Sequence, residues 1–310
     1  MNVGFRAFSL GLVQLLVSLG ISGLLITASA QRIAITFDDL PAHGPLPPKV
    51  TRIEVAKQII DALHRANVPA TYGFVNGIAV QDQPDTVNVL DAWRAAGNPL
   101  GNHTWSHMNL NEHSAADFEA DIAHNEQLLG QHMDGADWHW FRYPFLTEGN
   151  TPEKKMGVRA WLGQKGYKIA GVTMSFADYE WNEPYARCMQ KGDTKAVSWL
   201  ETTYLRAAEQ NIRYDHQMSK KLYGHDIPYV LLMHIGAFDA RMLPRLLAMY
   251  KRHGIVFVSL HDAEEDAFYK YDMDPKILPG PDMLEQAMAE KHWPLPKHID
   301  YSKRLDAICR

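Results

Sequence analysis

The sequence predicts a single parallel α/β domain, and three observations carry that prediction. Seven short β-rich runs lie between residues 32 and 260, and each but the last is followed by helical sequence, as expected for a parallel sheet with helical crossovers. No linker or internal repeat divides this stretch, so one unit is expected, either closed as a barrel or open as a doubly wound sheet. Ionisable residues gather at the C-terminal ends of the runs, where the loops of a parallel barrel converge on one mouth.

The elements follow in order. Arg32–Asp38 reads as a strand with Ile33, Ile35 and Phe37 on one face, and Pro41, Pro45, Pro47 and Pro48 make the next segment a loop. Ile53, Ala56, Ile59, Ile60 and Leu63 recur at helical spacing between Thr51 and Ala66. Ala70–Val75 and Pro99–Asn102 are strands, separated by a helix near Thr86–Ala96 that stops at Gly97. Ser114 caps a helix that runs through Leu129, with Gly130 near its end. Trp138–Phe145 is a strand, Pro152–Gln164 a helix closed by Gly166, and Tyr167–Phe176 a strand. Thr194–Leu222 is helical, with a break expected near Asn211. Tyr229–His234 and Ile255–Leu260 are the last strands, on either side of a helix over Arg241–Arg252. The proline-rich tail after Glu265 reads as a wrapped extension with one helix near Met283–Lys291.

Residues 1–30 hold no acid, one base (Arg6), an apolar run from Phe8 to Ile26 and the triplet Ala28-Ser29-Ala30. This is the pattern of a signal peptide cut after Ala30, with an uncleaved membrane anchor as the competing reading. The expected organisation is therefore a leader (1–30), a catalytic domain (31–265) and a C-terminal extension (266–310), in a protein delivered to the periplasm or the cell exterior. Export permits a disulfide between the two cysteines, Cys188 and Cys309, where a reducing compartment would keep two thiols.

Composition narrows the chemistry. The 31 Lys and Arg against 36 Asp and Glu give a net charge of −5, with no basic excess to meet a phosphate backbone, so no nucleic-acid partner is expected. Two cysteines cannot make a four-thiolate zinc site, whereas fifteen histidines offer many imidazoles, so any metal should rest on His and carboxylates.

Asp38 and Asp39 end the first strand. Strand alternation points adjacent side chains to opposite sides, which would give the two carboxylates different jobs. His103 and His107 follow the third strand. A single helical turn between them would put both imidazoles on one side, where with Asp39 they supply three ligands and leave a position open, as in a catalytic zinc site. Arg142 ends the fourth strand and can hold a carboxylate by paired hydrogen bonds. His234 ends the sixth, and a nearby acid such as Asp178 would keep it protonated, as a general acid requires.

These residues carry a resemblance to the NodB-type polysaccharide deacetylases, carbohydrate esterase family four, across most of residues 32–262. Thr36-Phe37-Asp38-Asp39 resembles the family's first motif, which implies Asp38 as general base and Asp39 as metal ligand. His103-Thr104-Trp105-Ser106-His107 is similar to the second, implying two histidine ligands, and Arg142-Tyr143-Pro144-Phe145 to the third. The third implies that Arg142 orients the base and that the Phe145 backbone amide binds an oxyanion. Asp178-Tyr179-Glu180-Trp181 resembles the fourth motif with its acid-to-Trp spacing shifted by one residue, and Val230-Leu231-Leu232-Met233-His234 the fifth, implying His234 as general acid. Leu40, where the family commonly has Gly, departs from the pattern.

The resemblance implies a distorted (β/α)7 barrel. It also implies a hydrolase acting on non-peptide carbon–nitrogen bonds: a deacetylase that removes N-acetyl groups from a peptidoglycan-like or chitin-like amino-sugar polymer, using a metal-bound water. The implied cofactor is a divalent metal, zinc first, with Co2+ or another divalent ion as alternatives. The implied partner is the acetylated polysaccharide or oligosaccharide, with no protein partner. The competing functions are an O-acetyl xylan esterase or non-sugar amide hydrolase on the same site, and a non-catalytic glycan-binding protein. Trp105, Trp138, Trp140, Tyr143, Tyr179 and Trp181 cluster around the motifs, where ordinary barrel packing is expected for about half of them, and Trp105, Tyr143 and Trp181 are the candidates to stack on sugar rings. His43 and His225 could also approach the mouth but receive no role, a place in the core or on the surface being the expectation.

Overall fold

The computed structural model describes Met1, residues 30–276 and residues 283–310. The signal-peptide reading falls on residues outside those described, Met1 and Ala30 apart. Among the described residues no helix is long and apolar enough to cross a membrane.

The described residues form seven strands, β1 (Arg32–Leu40), β2 (Gly73–Val75), β3 (Leu100–Asn102), β4 (Trp140–Phe141), β5 (Lys168–Ile169), β6 (Tyr229–His234) and β7 (Val256–Val258). The helices are α1 (Arg52–Arg65), α2 (Ile78–Asp82), α3 (Val87–Ala95), α4 (Ala115–Met133), α5 (Pro152–Gln164), α6 (Asn182–Lys191), α7 (Thr194–Tyr223), α8 (Ala237–Arg252), α9 (Leu260–Glu264), α10 (Lys270–Met273), α11 (Leu284–Glu290) and α12 (Ser302–Ala307). All strand pairs are parallel, in the order β5-β4-β3-β2-β1-β6, with β7 paired to the start of β1. Met174, beyond β5, bridges to Leu231 of β6 and carries the curl round toward closure. The result is the distorted (β/α)7-like barrel, with β1 at its centre and Ile33, Ala34, Ile35, Phe37 and Leu40 all buried. A strand covered on both faces reads as a continuous apolar run, which is what the sequence of β1 shows.

Register brings the ionisable residues to one level. Asp38 lies opposite His234, and Asn102 lies opposite Val75 on one side and Phe141 on the other, so His103 and Arg142 emerge together one residue later.

Several expectations need correction. Trp138–Phe145 and Tyr167–Phe176 shrink to two-residue strands, and Pro144 with positive φ at Phe145 (58°) and Leu146 (53°) turns the first of them out of the sheet. The break near Asn211 is absent: α7 runs 30 residues, because Leu200, Tyr204, Ala208, Asn211, Asp215 and Met218 keep one buried face at helical spacing throughout. Gly130 lies inside α4, which continues to Met133. Thr51 and Glu54 form a reciprocal capping box at the start of α1, and Ser114 caps α4 as expected.

The tail joins the main core through Phe268, Tyr269, Leu284, Met288, Leu305 and Ile308. Cys188 of α6 and Cys309 are bonded, with Cα atoms 5.2 Å apart, and Arg187 donates to the carbonyls of Leu305, Asp306 and Ile308. The bond closes a loop spanning 121 residues, for which chain entropy gives about 4–5 kcal/mol. Replacing both cysteines with serine should therefore lower the denaturant midpoint with little change in the site; an unchanged midpoint would show that the clamp contributes nothing.

Candidate active site

Asp39 is the pivot of the site. Its φ of 63° breaks the extended geometry of β1, so Asp38 and Asp39 do not diverge as strand alternation would have them. Both reach the same imidazole: His103 Nε2 lies 3.6 Å from Asp38 Oδ2 and 3.5 Å from Asp39 Oδ1. His107 Nε2 is 3.4 Å from the same Asp39 oxygen. The segment between the two histidines is not a helical turn but an irregular loop with left-handed Thr104 (φ 62°) and His107 (φ 57°).

Buried amides hold that loop. Asn76 Nδ2 donates to the carbonyls of His103 and Thr104, and Asn125 Nδ2 to Val75 and to Asn102 Oδ1. Asn102 Oδ1 in turn accepts from the Thr104 amide, and Asp121 accepts from both the amide and the hydroxyl of Ser106. Locking by second-layer hydrogen bonds is how ligand geometry is usually fixed.

The chemistry of the donor set fits a divalent metal. Asp39, His103 and His107 each offer a ligand atom within 4.8 Å of the other two. Asp39 Oδ1 is buried without a hydrogen-bond partner, a costly state unless something binds it. His103 Nδ1 faces the Arg142 carbonyl at 2.8 Å and must donate there, which leaves Nε2 as the lone pair on the site. Burial lowers the His103 and His107 pKa values to about 4, so both are neutral as ligands must be. Burial pushes Asp39 the other way, but the His43 hydrogen bond and the charge of His234 hold it well below the usual carboxylate range. His107→Ala should lose the bound metal, read as metal content per chain; an undiminished content would remove His107 from the ligand set.

Asp38 and Arg142 form a buried pair beside this set. Arg142 is 1% exposed and donates Nη1 to Asp38 Oδ1 (3.2 Å) and Oδ2 (3.4 Å), Nη2 to Thr36 Oγ1 (3.1 Å) and Nε to the Ala170 carbonyl (2.7 Å). Burial raises Asp38 to about 6 against the pull of Arg142 and His234, a position suited to a base near neutral pH.

On the other side His234 Nδ1 lies 3.1 Å from Asp178 Oδ1, while the His234 amide donates to Asp178 Oδ2 at 2.7 Å. Asp178 is fully buried, and despite its shifted spacing in sequence it faces His234 directly. Burial alone would lower the His234 pKa; the Asp178 charge and hydrogen bond, with Asp39 and Asp38, raise it to about 10. Asp178→Asn should therefore move the alkaline limb of kcat/KM to lower pH, and an unmoved limb would separate His234 from Asp178.

Other residues fall differently from expectation. Tyr143 (2% exposed) is packed between Phe118 and Phe141, and Trp181 (1%) sits among Phe238, Tyr204 and Trp199, so neither has a face free for a sugar. Trp105 is half-buried and stacks on His124 at 4.0 Å. The exposed aromatics beside the site are Phe145, with its ring 4.4 Å from that of His107, and Tyr179, 5.4 Å from that of His234. His225 is exposed, its ring bonded to the Tyr223 carbonyl. His43 belongs to the site: its Nδ1 is 2.7 Å from Asp39 Oδ2, and its ring lies 4.7 Å from that of His234. Its place four residues after Asp39 was the only signal in the sequence.

A parallel barrel with a carboxylate–imidazole cluster on its C-terminal rim defines the class, and comparison shows which known proteins the chain is similar to. Residues 26–161 match the family model for polysaccharide deacetylase. A chitin deacetylase of Colletotrichum lindemuthianum is 29% identical over 203 residues, covering 63% of this chain and 66% of that protein. A peptidoglycan-N-acetylglucosamine deacetylase of Bacillus cereus is 30% identical over 148 residues, 48% of this chain and 46% of that one. The chain thus spans less than two thirds of these curated relatives. The solved structure of the Colletotrichum lindemuthianum enzyme superposes with a TM-score of 0.50 at 23% identity, covering 78% of this chain and 90% of that one. A mutant CE4 family pseudoenzyme with restored enzymatic activity gives 0.52 at 15% identity, over 76% and 68%. Both show the shared fold. Residues 26–161 are thus similar to the polysaccharide deacetylase family, carbohydrate esterase family four, and the relatives extend that likeness over 63% of the chain.

Proposed function

We propose that the protein is an exported, metal-dependent deacetylase that hydrolyses N-acetyl groups of a chitin-like or peptidoglycan-like amino-sugar polymer. The observation that carries this reading is the pairing of a carboxylate held by arginine (Asp38) and an imidazole backed by a carboxylate (His234) on either side of the Asp39, His103 and His107 donor set. Names of relatives support the substrate class, since two of them act on chitin and on peptidoglycan N-acetylglucosamine.

Two nitrogens and one oxygen suit zinc, with Co2+ as an alternative, and the bound ion would supply Lewis acidity toward the acetyl carbonyl and the attacking water. Asp38 takes the proton of that water while Arg142 fixes the carboxylate. The Phe145 amide, on a backbone turned by its positive φ, faces the oxyanion that develops on the carbonyl oxygen. His234 gives its proton to the amine nitrogen as the carbon–nitrogen bond breaks, leaving acetate and a free amino sugar. Phe145 and Tyr179 flank the mouth as exposed faces for sugar rings.

The leader over residues 1–30 supports export, and residues 31–265 are assigned as the catalytic domain with 266–310 as its extension. A glycan-binding protein without activity would have no use for a base and an acid so placed. A protonated imidazole aimed at the leaving group favours an amide over an ester, whose alcohol leaves more readily. Acetate release from acetylated amino-sugar oligomers should exceed that from acetylated xylan at equal acetyl concentration; a preference for xylan would overturn the substrate assignment.

A further inference from the structure

We propose a second, weaker divalent-cation site that shares Asp39 with the first and is completed by His43 and His234. One ligand atom from each of these three residues lies within 4.8 Å of the other two. The two oxygens of Asp39 are divided between two sets of imidazoles. Oδ1 faces His103 and His107, at 3.5 and 3.4 Å, whereas Oδ2 accepts a hydrogen bond from His43 Nδ1 at 2.7 Å, whose proton an ion would replace. A carboxylate that presents one oxygen to each side is arranged to bridge two cations, and imidazole with carboxylate suits zinc and its neighbours in the first transition row.

His43 is held in place for this. Arg52 donates Nη1 to the His43 carbonyl at 2.8 Å and Nη2 to the Gly44 carbonyl at 2.7 Å, so the loop that carries the imidazole is pinned to α1. Asp39 and His43 side chains are each 17% exposed and that of His234 is 12% exposed, which leaves a route for an ion from solvent. His234 Nδ1 is committed to Asp178, so Nε2 is the nitrogen left to face either an ion or a leaving group. An ion in this site and proton donation by His234 therefore exclude each other, and occupancy switches the enzyme off.

Charge explains why the site is the weaker one. Asp38, Asp39 and Asp178 stand against the guanidinium of Arg142 and the protonated imidazole of His234, so one divalent ion on the first site already outweighs the remaining negative charge, and a second ion must also displace the His234 proton. A second ion gains no net attraction, so it binds only when metal is in excess.

The second site itself rests on Asp39 as a metal ligand and not on amide hydrolysis, so its test counts ions rather than turnover; only the inhibitory effect rests on the proposed hydrolysis. Equilibrium dialysis of the whole protein against rising zinc chloride, with metal read by elemental analysis, should give two successive zinc ions per chain for the native sequence. His43→Ala and His43→Gln should each give one; Gln can keep a hydrogen bond to Asp39 but is no imidazole ligand. His103→Ala should lose the tighter ion and keep the weaker. Saturation of the native chain at one ion, or two ions in either His43 variant, would overturn the second site. Loss of nothing in His103→Ala would instead remove the first site's ligand assignment. As a further readout, excess zinc should suppress acetate release at least tenfold in the native protein, and suppression of equal depth in His43→Gln would contradict the mechanism of inhibition.

Discussion

Asp38→Asn is expected to lower acetate release by about 10²- to 10⁴-fold, the range that a positioned general base contributes, with metal content unchanged. The substitution keeps the shape of the side chain and removes the proton acceptor. Asp38 lies outside the Asp39, His103 and His107 set, so the ion should stay. The substitution also costs stability, because Arg142 is a buried cation whose carboxylate partner disappears, and breaking such a pair typically costs about 3–5 kcal/mol. Arg142 keeps bonds to the Ala170 carbonyl and Thr36 Oγ1, and the asparagine oxygen still accepts, which softens that loss. A melting curve recorded beside the kinetics separates the two effects. Activity within tenfold of the native protein, in a folded variant with metal bound, would remove Asp38 as the base.

His234→Ala should separate substrates by their leaving groups. Amide hydrolysis is expected to fall by about 10²- to 10⁴-fold, because an amine is expelled only as it is protonated. Hydrolysis of an activated aryl acetate, whose leaving group needs no proton, should fall less than tenfold. The variant leaves Asp178 buried without its imidazole, but Asp178 Oδ2 still accepts from the backbone amide of residue 234 at 2.7 Å, so the carboxylate is not stranded. Equal losses on both substrates would place His234 in ground-state binding rather than in proton transfer.

The strands and the residues at their ends were legible because two simple periodicities dominate there. The apolar run of β1 ends in Asp38 and Asp39, β6 ends in His234, and parallel register then puts Asp38 opposite His234 without further information. What sequence could not convey lies in backbone conformations that no periodicity encodes. The positive φ of Asp39 turns two carboxylates that an extended strand would part toward one imidazole, and left-handed Thr104 and His107 achieve with a loop what was expected of a helical turn. The amides of Asn76, Asn102 and Asn125 matter through contacts spanning 20 to 50 residues, which local reading does not reach. The aromatic residues misled for a related reason. Trp181 and Tyr143 sit in motifs beside the site, but proximity in sequence says nothing of which way a side chain faces, and both turn into the core. His43 was hidden in a proline-rich loop whose path is set by contacts with Arg52 and by the turn at Asp39.

The most direct test of the account is acetate release from an N-acetylated glucosamine oligomer by protein stripped of metal with a chelator and then given one equivalent of zinc. The stripped protein should release no acetate above background, one equivalent should restore turnover, and His103→Ala should stay inactive at that same equivalent. Acetate release by the stripped protein at the native rate, or full activity in His103→Ala, would contradict a metal held by Asp39, His103 and His107 as the centre of the chemistry.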